Sequence, residues 1–485
     1  MTMGNDRRRR ALLATVAGVL AGLSLPPLGW PWLLWPCLAV LWALAGSPRG
    51  EGIGAGLLWG VAAVLVSHRW LPALHPLDWI GVPSALSLPL CLLLWALCAL
   101  AGGTLVAAWV ALVGRLDPGR PSSALVGAGV WGGAEVLLAK GPLFWVGLGV
   151  SPLPGDPWLA GLGALVGAGG VAAVQLLLGW GLWRLARAWS RGWGLTLLVG
   201  VLLPHLAGAQ ARAALSVGPN LSPETVMVVQ TAIPTRQKFW PDQQDRLLRL
   251  LASAQREAHS SGATVVVLPE GALALDQGLP GPAPVEVLSG GFRRRDSSVR
   301  AALLRFAPSA TVAASWVDKH RVVPLGEWVP LGSWLRWSGL SAVGGIEAGA
   351  PSRLLRRPSG PIGVAICYEI SDGQALAQAS REGAGWLLAS ANLDPYPLAL
   401  QSQFQALAQL RAMESGRWLV SAANTGPSVL VDPSGRVVAA LPLGARATGL
   451  FRVPARSGLT PYLLVGEAPL MGLIVAGGGL RALRQ

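Results

Sequence analysis

The stretch Pro361-Ile-Gly-Val-Ala-Ile-Cys-Tyr-Glu369 decides how this chain is read. Ile362, Val364 and Ile366 are β-formers, and the run breaks off at Cys367 into the polar Tyr368, Glu369, Ser371 and Asp372. That pattern predicts a buried strand that delivers a thiol to its end. An α/β enzyme places a nucleophile at such a strand exit, because the turn exposes the side chain and frees the next backbone N–H for an oxyanion. A buried core cysteine fits the same stretch equally well, so the choice falls to the rest of the chain.

On either side, segment 214–460 alternates short β-rich runs with helical stretches. The runs are Thr225–Gln230, Thr264–Leu268, Thr311–Ala314, Ile362–Ile366, Gly385–Ala389, Trp418–Ala422 and Ser428–Val431, and the helices are 241–259, 297–305, 373–382 and 398–415. This alternation predicts an α/β sandwich around buried sheet. In helix 241–259, Leu247, Leu248, Leu250, Leu251 and Ala254 share a face with the charges largely opposite, which is packing and not chemistry. Between 273 and 300, Gly, Pro and Ser are dense, and Gly290-Gly-Phe-Arg-Arg-Arg295 closes what reads as a mobile, solvated loop, contact with lipid phosphates being the alternative.

What precedes residue 214 is different. The chain of 485 residues is 52% hydrophobic and 13% charged, with mean hydropathy +0.50, too apolar for an ordinary soluble protein. Apolar windows at 11–25, 31–46, 52–71, 83–114, 122–138, 158–187, 192–210 and 461–480 approach or exceed the ~20 residues that cross a bilayer, which predicts eight spans. The first follows four arginines without a small-x-small cleavage site, so it reads as an uncleaved helix. Arg7, Arg8, Arg9, Arg10, Arg49, Arg115, Arg120, Arg184, Arg187 and Arg191 fall in alternate connections, against Arg69 and Lys140 in the others. The expectation is a bundle over 1–213, an outward domain over 214–460, and a returning helix with a cytoplasmic tail over 461–485. The net charge of +14 is therefore topology and not nucleic-acid binding. Cys37, Cys91 and Cys98 lie in apolar runs and Cys367 stands alone in the polar half, with no disulfide framework, zinc spacing or CxxC pair.

Two further strand ends carry ionisable residues. Thr264-Val-Val-Val-Leu-Pro-Glu270 ends in a carboxylate, and Thr311-Val-Ala-Ala-Ser-Trp-Val-Asp-Lys319 ends in an ammonium followed by His320 and Glu327. The carboxyl ends of strands in an open α/β sheet converge on one crevice, so Glu270, Lys319 and Cys367 can meet. Together they permit acyl transfer through a thioester: Glu270 takes the thiol proton, Lys319 steadies thiolate and oxyanion, and the N–H of Tyr368 is a second oxyanion donor. A Cys–His enzyme is harder to build, because the outward domain holds only His259 and His320 and neither follows Cys367. His320 reads as structural.

Glu270 in LPEG, Lys319 in DKHRVVPLGEWVP and Cys367 in GVAICYE, in that order, resemble the carbon–nitrogen hydrolase (nitrilase) superfamily. With eight spans the chain is similar, over nearly its whole length, to the bacterial apolipoprotein N-acyltransferases. The resemblance implies an outward-facing α-β-β-α sandwich in which Glu270 is general base, Lys319 the oxyanion partner and Cys367 the nucleophile, with Glu327 and Glu369 supporting them. It also matches Trp240, after the first strand, and Asn392, after the strand that follows the cysteine, to family positions. The chain departs from the family pattern at Gly271 and Leu325, in a short Glu270–Lys319 interval, and at Asn392-Leu-Asp-Pro-Tyr396, where Tyr396 falls in an aromatic lid.

The activity so implied transfers an acyl chain from a phospholipid, phosphatidylethanolamine being the expected donor, to the N-terminal amine of a diacylglyceryl-cysteine lipoprotein. It would work at the outer face of the bacterial inner membrane, without metal or organic cofactor. Two rivals keep the same residues: a membrane-tethered amidase or hydrolase with water as acceptor, and an inactive domain that binds lipoproteins as a scaffold. Thioester turnover without an amine marks the first, and a Cys367 inert to small alkylators marks the second.

Overall fold

The computed structural model describes residues 2–77, 82–324, 327 and 345–483; Leu325 lies outside them. Its β-strands are β1 (Pro223–Gln230), β2 (Val265–Val267), β3 (Glu286–Arg295), β4 (Ser298–Phe306), β5 (Ser315–Asp318), β6 (Leu354–Leu355), β7 (Ile362–Ile366), β8 (Trp386–Ala391), β9 (Leu419–Ala423), β10 (Val429–Val431), β11 (Val437–Ala440) and β12 (Ala447–Pro454). They form two six-stranded sheets, ordered β12-β1-β2-β3-β4-β5 and β11-β10-β9-β8-β7-β6.

Alternation along each strand explains the layering. Val226 and Val228 of β1 face inward with Val265, Val267 and Leu288, against Ile362, Val364, Ile366, Leu388 and Val420 of the second sheet. Met227 and Val229 point the other way, onto Leu247, Leu251, Ala254 and Ala258 of the helix Pro241–Ser260. On the far face of the second sheet, Ala365, Leu387 and Ala389 pack against Leu400, Phe404 and Leu407 of the helix Leu398–Ser415. The result is a helix–sheet–sheet–helix sandwich. The same core continues into Trp70, Leu71, Val146, Val150 and Leu153, so the second helical layer rests directly on the apolar helices.

Among the described residues, five helices are long and apolar enough to cross a membrane: Gly50–Leu74, Ser84–Arg115, Pro121–Ala139, Gly163–Arg187 and Arg191–Val217. The eight expected windows therefore reduce to five by this measure. Thr2–Leu23 carries the arginine run Arg7–Arg10 within it, while Pro31–Ala45 and Ala468–Ala482 have 15 residues each, about 22 Å of helix at 1.5 Å per residue. The last window breaks at Gly466 (φ +56°). Before that break, Pro461–Val465 forms a separate turn of helix whose Tyr462 is buried beside Ala377 of the sandwich.

Two stretches fold differently from the reading above. The loop expected over 273–300 and the helix over 297–305 are instead the β3–β4 hairpin, paired from Val287↔Phe306 to Arg295↔Ser298. Gly290 is there because β3 runs against the turn bearing Glu270: a Cβ would come 2.4 Å from Glu270 Cα and 2.5 Å from the Pro269 oxygen. Arg293 is not solvated but donates to Asp318 through Nε at 2.6 Å, and Arg300 reaches the same carboxylate at 3.2 Å. The strand expected at Thr311–Ala314 lies further on, at β5, so that Lys319 follows it at once.

Candidate active site

β1, β2, β3 and β5 run in one direction in the first sheet, and β7, β8 and β9 share a direction in the second. Their carboxyl ends meet, and the residues just beyond them form one buried cluster. Lys319, after β5, is 1% exposed and its Nζ donates to Glu270 Oε1 at 2.7 Å and to Glu327 Oε1 at 2.8 Å. The other oxygen of Glu270 accepts the backbone N–H of Asn392, after β8, at 2.9 Å. Asn392 Nδ2 donates to Thr235 Oγ1 at 3.0 Å, and its Oδ1 accepts from Asn424 Nδ2, after β9, at 3.0 Å.

Cys367 follows β7 in a left-handed conformation, φ +56°, which a side chain adopts only at a cost. The turn Cys367–Ser371 that begins there is clamped by Glu369, 3% exposed. Its Oε2 accepts the N–H of Ile366 at 2.8 Å, its Oε1 accepts those of His320 at 2.7 Å and Arg321 at 3.1 Å, and Arg353 Nη1 pairs with it at 2.9 Å. One carboxylate thus ties the cysteine turn of one sheet to the lysine turn of the other. Charge-assisted bonds of this kind are the strong class of hydrogen bond.

The electrostatics follow from burial and neighbours. Burial alone would raise Glu270, but Lys319, the Asn392 N–H and Lys238 outweigh it and hold the carboxyl below its usual range. Burial would lower Lys319, yet Glu270 and Glu327 keep it charged well above the ordinary lysine range. Burial, with repulsion from Glu270 against the pull of Lys319, leaves Glu327 raised. Cys367 is held well above the usual thiol range by burial and the Glu270 carboxylate, with Lys319 opposing. The resting pattern is an ionised Glu270–Lys319 pair beside a neutral thiol.

Cys367 and Tyr368 open into an apolar cleft built by both halves of the protein. Trp70, Leu71, Cys91 and Cys98 line it from the helices, and Tyr396 and Phe404 from the sandwich. The Trp70 and Tyr396 rings meet edge-on with centroids 5.8 Å apart. The turn is fastened to the end of the helix Pro121–Ala139: Ser371 Oγ donates to the Ala139 oxygen at 3.0 Å, Arg321 of the neighbouring lysine turn donates through Nη1 to Ser371 Oγ at 2.8 Å and through Nη2 to the Gly141 oxygen, and the Tyr368 hydroxyl lies 3.2 Å from the Pro142 oxygen and 2.8 Å from that of Val322.

Glu270, Lys319, Cys367, Glu327, Tyr368, Glu369, Asn392 and Tyr396 are thus brought together. Trp240 is not: it stands 53% exposed before the helix Pro241–Ser260, off the cleft. Two residues earlier, Lys238 is buried with its Nζ 2.6 Å from the Glu270 carbonyl oxygen, and sequence reading passed over it. Arg353 and Asn424 were missed as well, because each acts through a partner far away in sequence. His320 lies at the surface with Nδ1 2.8 Å from the Gly349 oxygen, as a structural residue would. The Glu270–Lys319 interval holds the β3–β4 hairpin and β5.

Two facing sheets with a carboxylate, an ammonium and a thiol at their joined strand ends define a carbon–nitrogen hydrolase domain, here seated on apolar helices. A family model described as carbon-nitrogen hydrolase matches residues 287–458, and one described as the apolipoprotein N-acyltransferase N-terminal domain matches 17–181. The chain is 48% identical over 497 residues to the apolipoprotein N-acyltransferase of Prochlorococcus marinus strain MIT 9313, covering 100% of this chain and 98% of that one. To the protein of that name from Parasynechococcus marenigrum it is 45% identical over 468 residues, covering 95% and 98%. A solved amidase of the nitrilase superfamily from Nesterenkonia matches with TM-score 0.38 and 17% identity, over 53% of this chain and 98% of that one. The chain belongs to the apolipoprotein N-acyltransferase family, and is an acyltransferase of lipoprotein biosynthesis with a multi-pass membrane character.

Proposed function

We propose that this protein carries an acyl chain from a phospholipid, phosphatidylethanolamine first among them, through a thioester on Cys367 to the N-terminal amine of a diacylglyceryl-cysteine lipoprotein. The observation that carries this reading is the cleft, in which a strained-turn thiol beside the Glu270–Lys319 pair faces apolar walls supplied partly by membrane-type helices. Glu270 takes the thiol proton as sulfur attacks the ester carbonyl, while Lys319 and the N–H of Tyr368 receive the oxyanion. As the intermediate collapses, the ester C–O bond breaks and Glu270 gives the proton to the leaving lysophospholipid oxygen. The lipoprotein amine then attacks the thioester, Glu270 accepts its proton, and Cys367 leaves as the thiol. Glu327, Asn392 and Glu369 hold these groups in place, and Tyr396 contacts the chain.

A low carboxyl and a high thiol make the proton transfer uphill at rest, by about 1.4 kcal/mol for each unit of mismatch. The thiolate is therefore made as attack proceeds rather than stored. Apolar walls favour a lipid-anchored amine over water as second acceptor. Incubation of the purified protein with acyl-labelled phospholipid should put label on Cys367, and a diacylglyceryl-cysteine peptide should discharge it. Absence of label on folded protein, or discharge to free fatty acid as fast without the peptide, overturns the reading.

The accompanying topology is eight crossings of the inner membrane, both termini cytoplasmic and residues 214–460 on the outer side. In support, Arg481 Nη1 donates to the Leu116 oxygen at 3.1 Å, bringing the last helix to the arginine-bearing end of the bundle. The Gly141 end, opposite along the Pro121–Ala139 helix, meets the sandwich. The two 15-residue helices would cross where the bilayer thins locally. A reporter active only outside the cytoplasm should be silent when fused after Gln485, and activity there contradicts the assignment.

A further inference from the structure

Lys238 is a buried cation that none of the roles above requires. It is 5% exposed, and an ammonium taken out of water costs several kcal/mol unless opposing charges surround it. The turn that delivers it, Thr235–Gln237, is pinned from the opposite sheet, with the Thr235 N–H donating to Asp394 Oδ2 at 2.7 Å and Asn392 Nδ2 to Thr235 Oγ1 at 3.0 Å. Its ammonium donates to the backbone oxygen of Glu270 at 2.6 Å, and a Cβ on Gly271 (φ +58°) would stand 3.2 Å from it. The lysine therefore fills the space behind the catalytic turn, with its charge directed at it.

Lys319 does not neutralise Glu270 alone, because it is shared almost evenly with Glu327, at 2.7 and 2.8 Å. Two carboxylates thus face one lysine, and a second cation completes the balance. We propose that Lys238 is a positioning residue of the active site, a second cation that holds the Glu270 turn by its backbone oxygen and shares the charge of the Glu270 carboxylate with Lys319. The inference rests on the reading of Glu270 as the base. The charged and titratable groups that act on Glu270 are Lys319 and Glu327 from the segment after β5, Cys367 from the turn after β7, Tyr396 from the segment after β8, and Lys238 itself. Those acting on Lys238 are Glu270, Asp394, Cys367 and Lys319. Burial brings its own titration down to about 8, so it is mostly charged at pH 7 and below.

The sign of the effect is fixed. A cation beside a carboxylate lowers its proton affinity, so removing the charge raises the pH below which Glu270 is protonated and idle. The experiment uses the full-length protein in lipid nanodiscs and follows alkylation of Cys367 by iodoacetamide from about pH 3 to 9, a range that reaches below the ordinary carboxylate pKa to where the depressed Glu270 changes charge, read by peptide mass spectrometry. Lys238→Gln keeps a donor for the Glu270 oxygen but no charge, and its acid limb should move up by about one pH unit. Lys238→Arg keeps the charge and should return the limb toward that of the unaltered protein. Glu270→Gln should lose the limb altogether. A limb unmoved in Lys238→Gln but lost in Glu270→Gln overturns the role of Lys238 alone. A limb that survives in Glu270→Gln removes the base, and this inference with it. If Lys238→Gln does not fold, Asp394→Asn provides the second arm: it leaves the lysine charge less shared and should move the limb down, whereas no movement overturns the proposal.

Discussion

Cys367→Ser should lose at least ~10³-fold in turnover while the protein still inserts and folds. The substitution keeps the shape and a hydroxyl, so the left-handed turn and the Glu369 clamp remain. What it removes is a nucleophile that a carboxylate can ionise. A serine hydroxyl is a far weaker acid than a thiol, and the proposed base is a Glu270 whose carboxyl is already held low by Lys319. Acyl-enzyme labelling and turnover measure the effect, and retained activity would remove Cys367 from the mechanism. Cys37→Ala should leave the chemistry untouched. Cys91 and Cys98 line the cleft, so replacing them should change chain preference and not the reaction.

Glu270→Gln and Lys319→Met should both fail to accumulate acyl-enzyme, but for reasons that stability measurements separate. Glu270→Gln removes the base and leaves Lys319 paired with Glu327, so the fold loses little. Lys319→Met removes the proposed oxyanion partner, on the order of 10²–10³ in rate, and also leaves two buried carboxylates without the cation they share. Breaking a buried pair in this way costs about 3–5 kcal/mol. In the unaltered protein the depressed Glu270 contributes stability that is present above its unfolded pKa and lost as pH falls through its lower folded value. In Lys319→Met the stranded carboxylates titrate high, so the variant should regain stability as pH falls and lose it as pH rises. Thermal unfolding against pH reads the reversal. A Lys319→Met protein with the pH dependence of the unaltered one would mean that the lysine does not set these charges.

The strand ends were legible because burial and alternation leave a mark on sequence: an apolar run stops and an ionisable residue follows, three times over. Ile362–Ile366 and 398–415 fall at the observed boundaries, and Glu270, Lys319 and Cys367 meet as the parallel strands require. The β3–β4 hairpin was hidden because Gly290 and the arginines carry loop chemistry, whereas the glycine answers a close approach to the Glu270 turn and Arg293 answers Asp318. Neither partner is local. The break at Gly466 was invisible for another reason: a hydropathy window sums over Tyr462 and Leu463 without registering that they are buried against the sandwich. Lys238 follows the polar Thr235-Arg-Gln237 turn, and only the fold reveals that its head is inside. Trp240, matched by motif, went the opposite way, to the surface.

The fastening of the cysteine turn to the Pro121–Ala139 helix has a consequence for which molecules can react at all. Three contacts, from Ser371, Arg321 and Tyr368, hold the thiol at a set height above the end of that helix. Anything dissolved in a bilayer keeps its own parts at preferred levels, tails deep and glycerol shallow. For the acyl transfer proposed above, a sulfur so fastened works as a ruler: it meets bonds that float at its own altitude, and passes over identical bonds carried higher or lower.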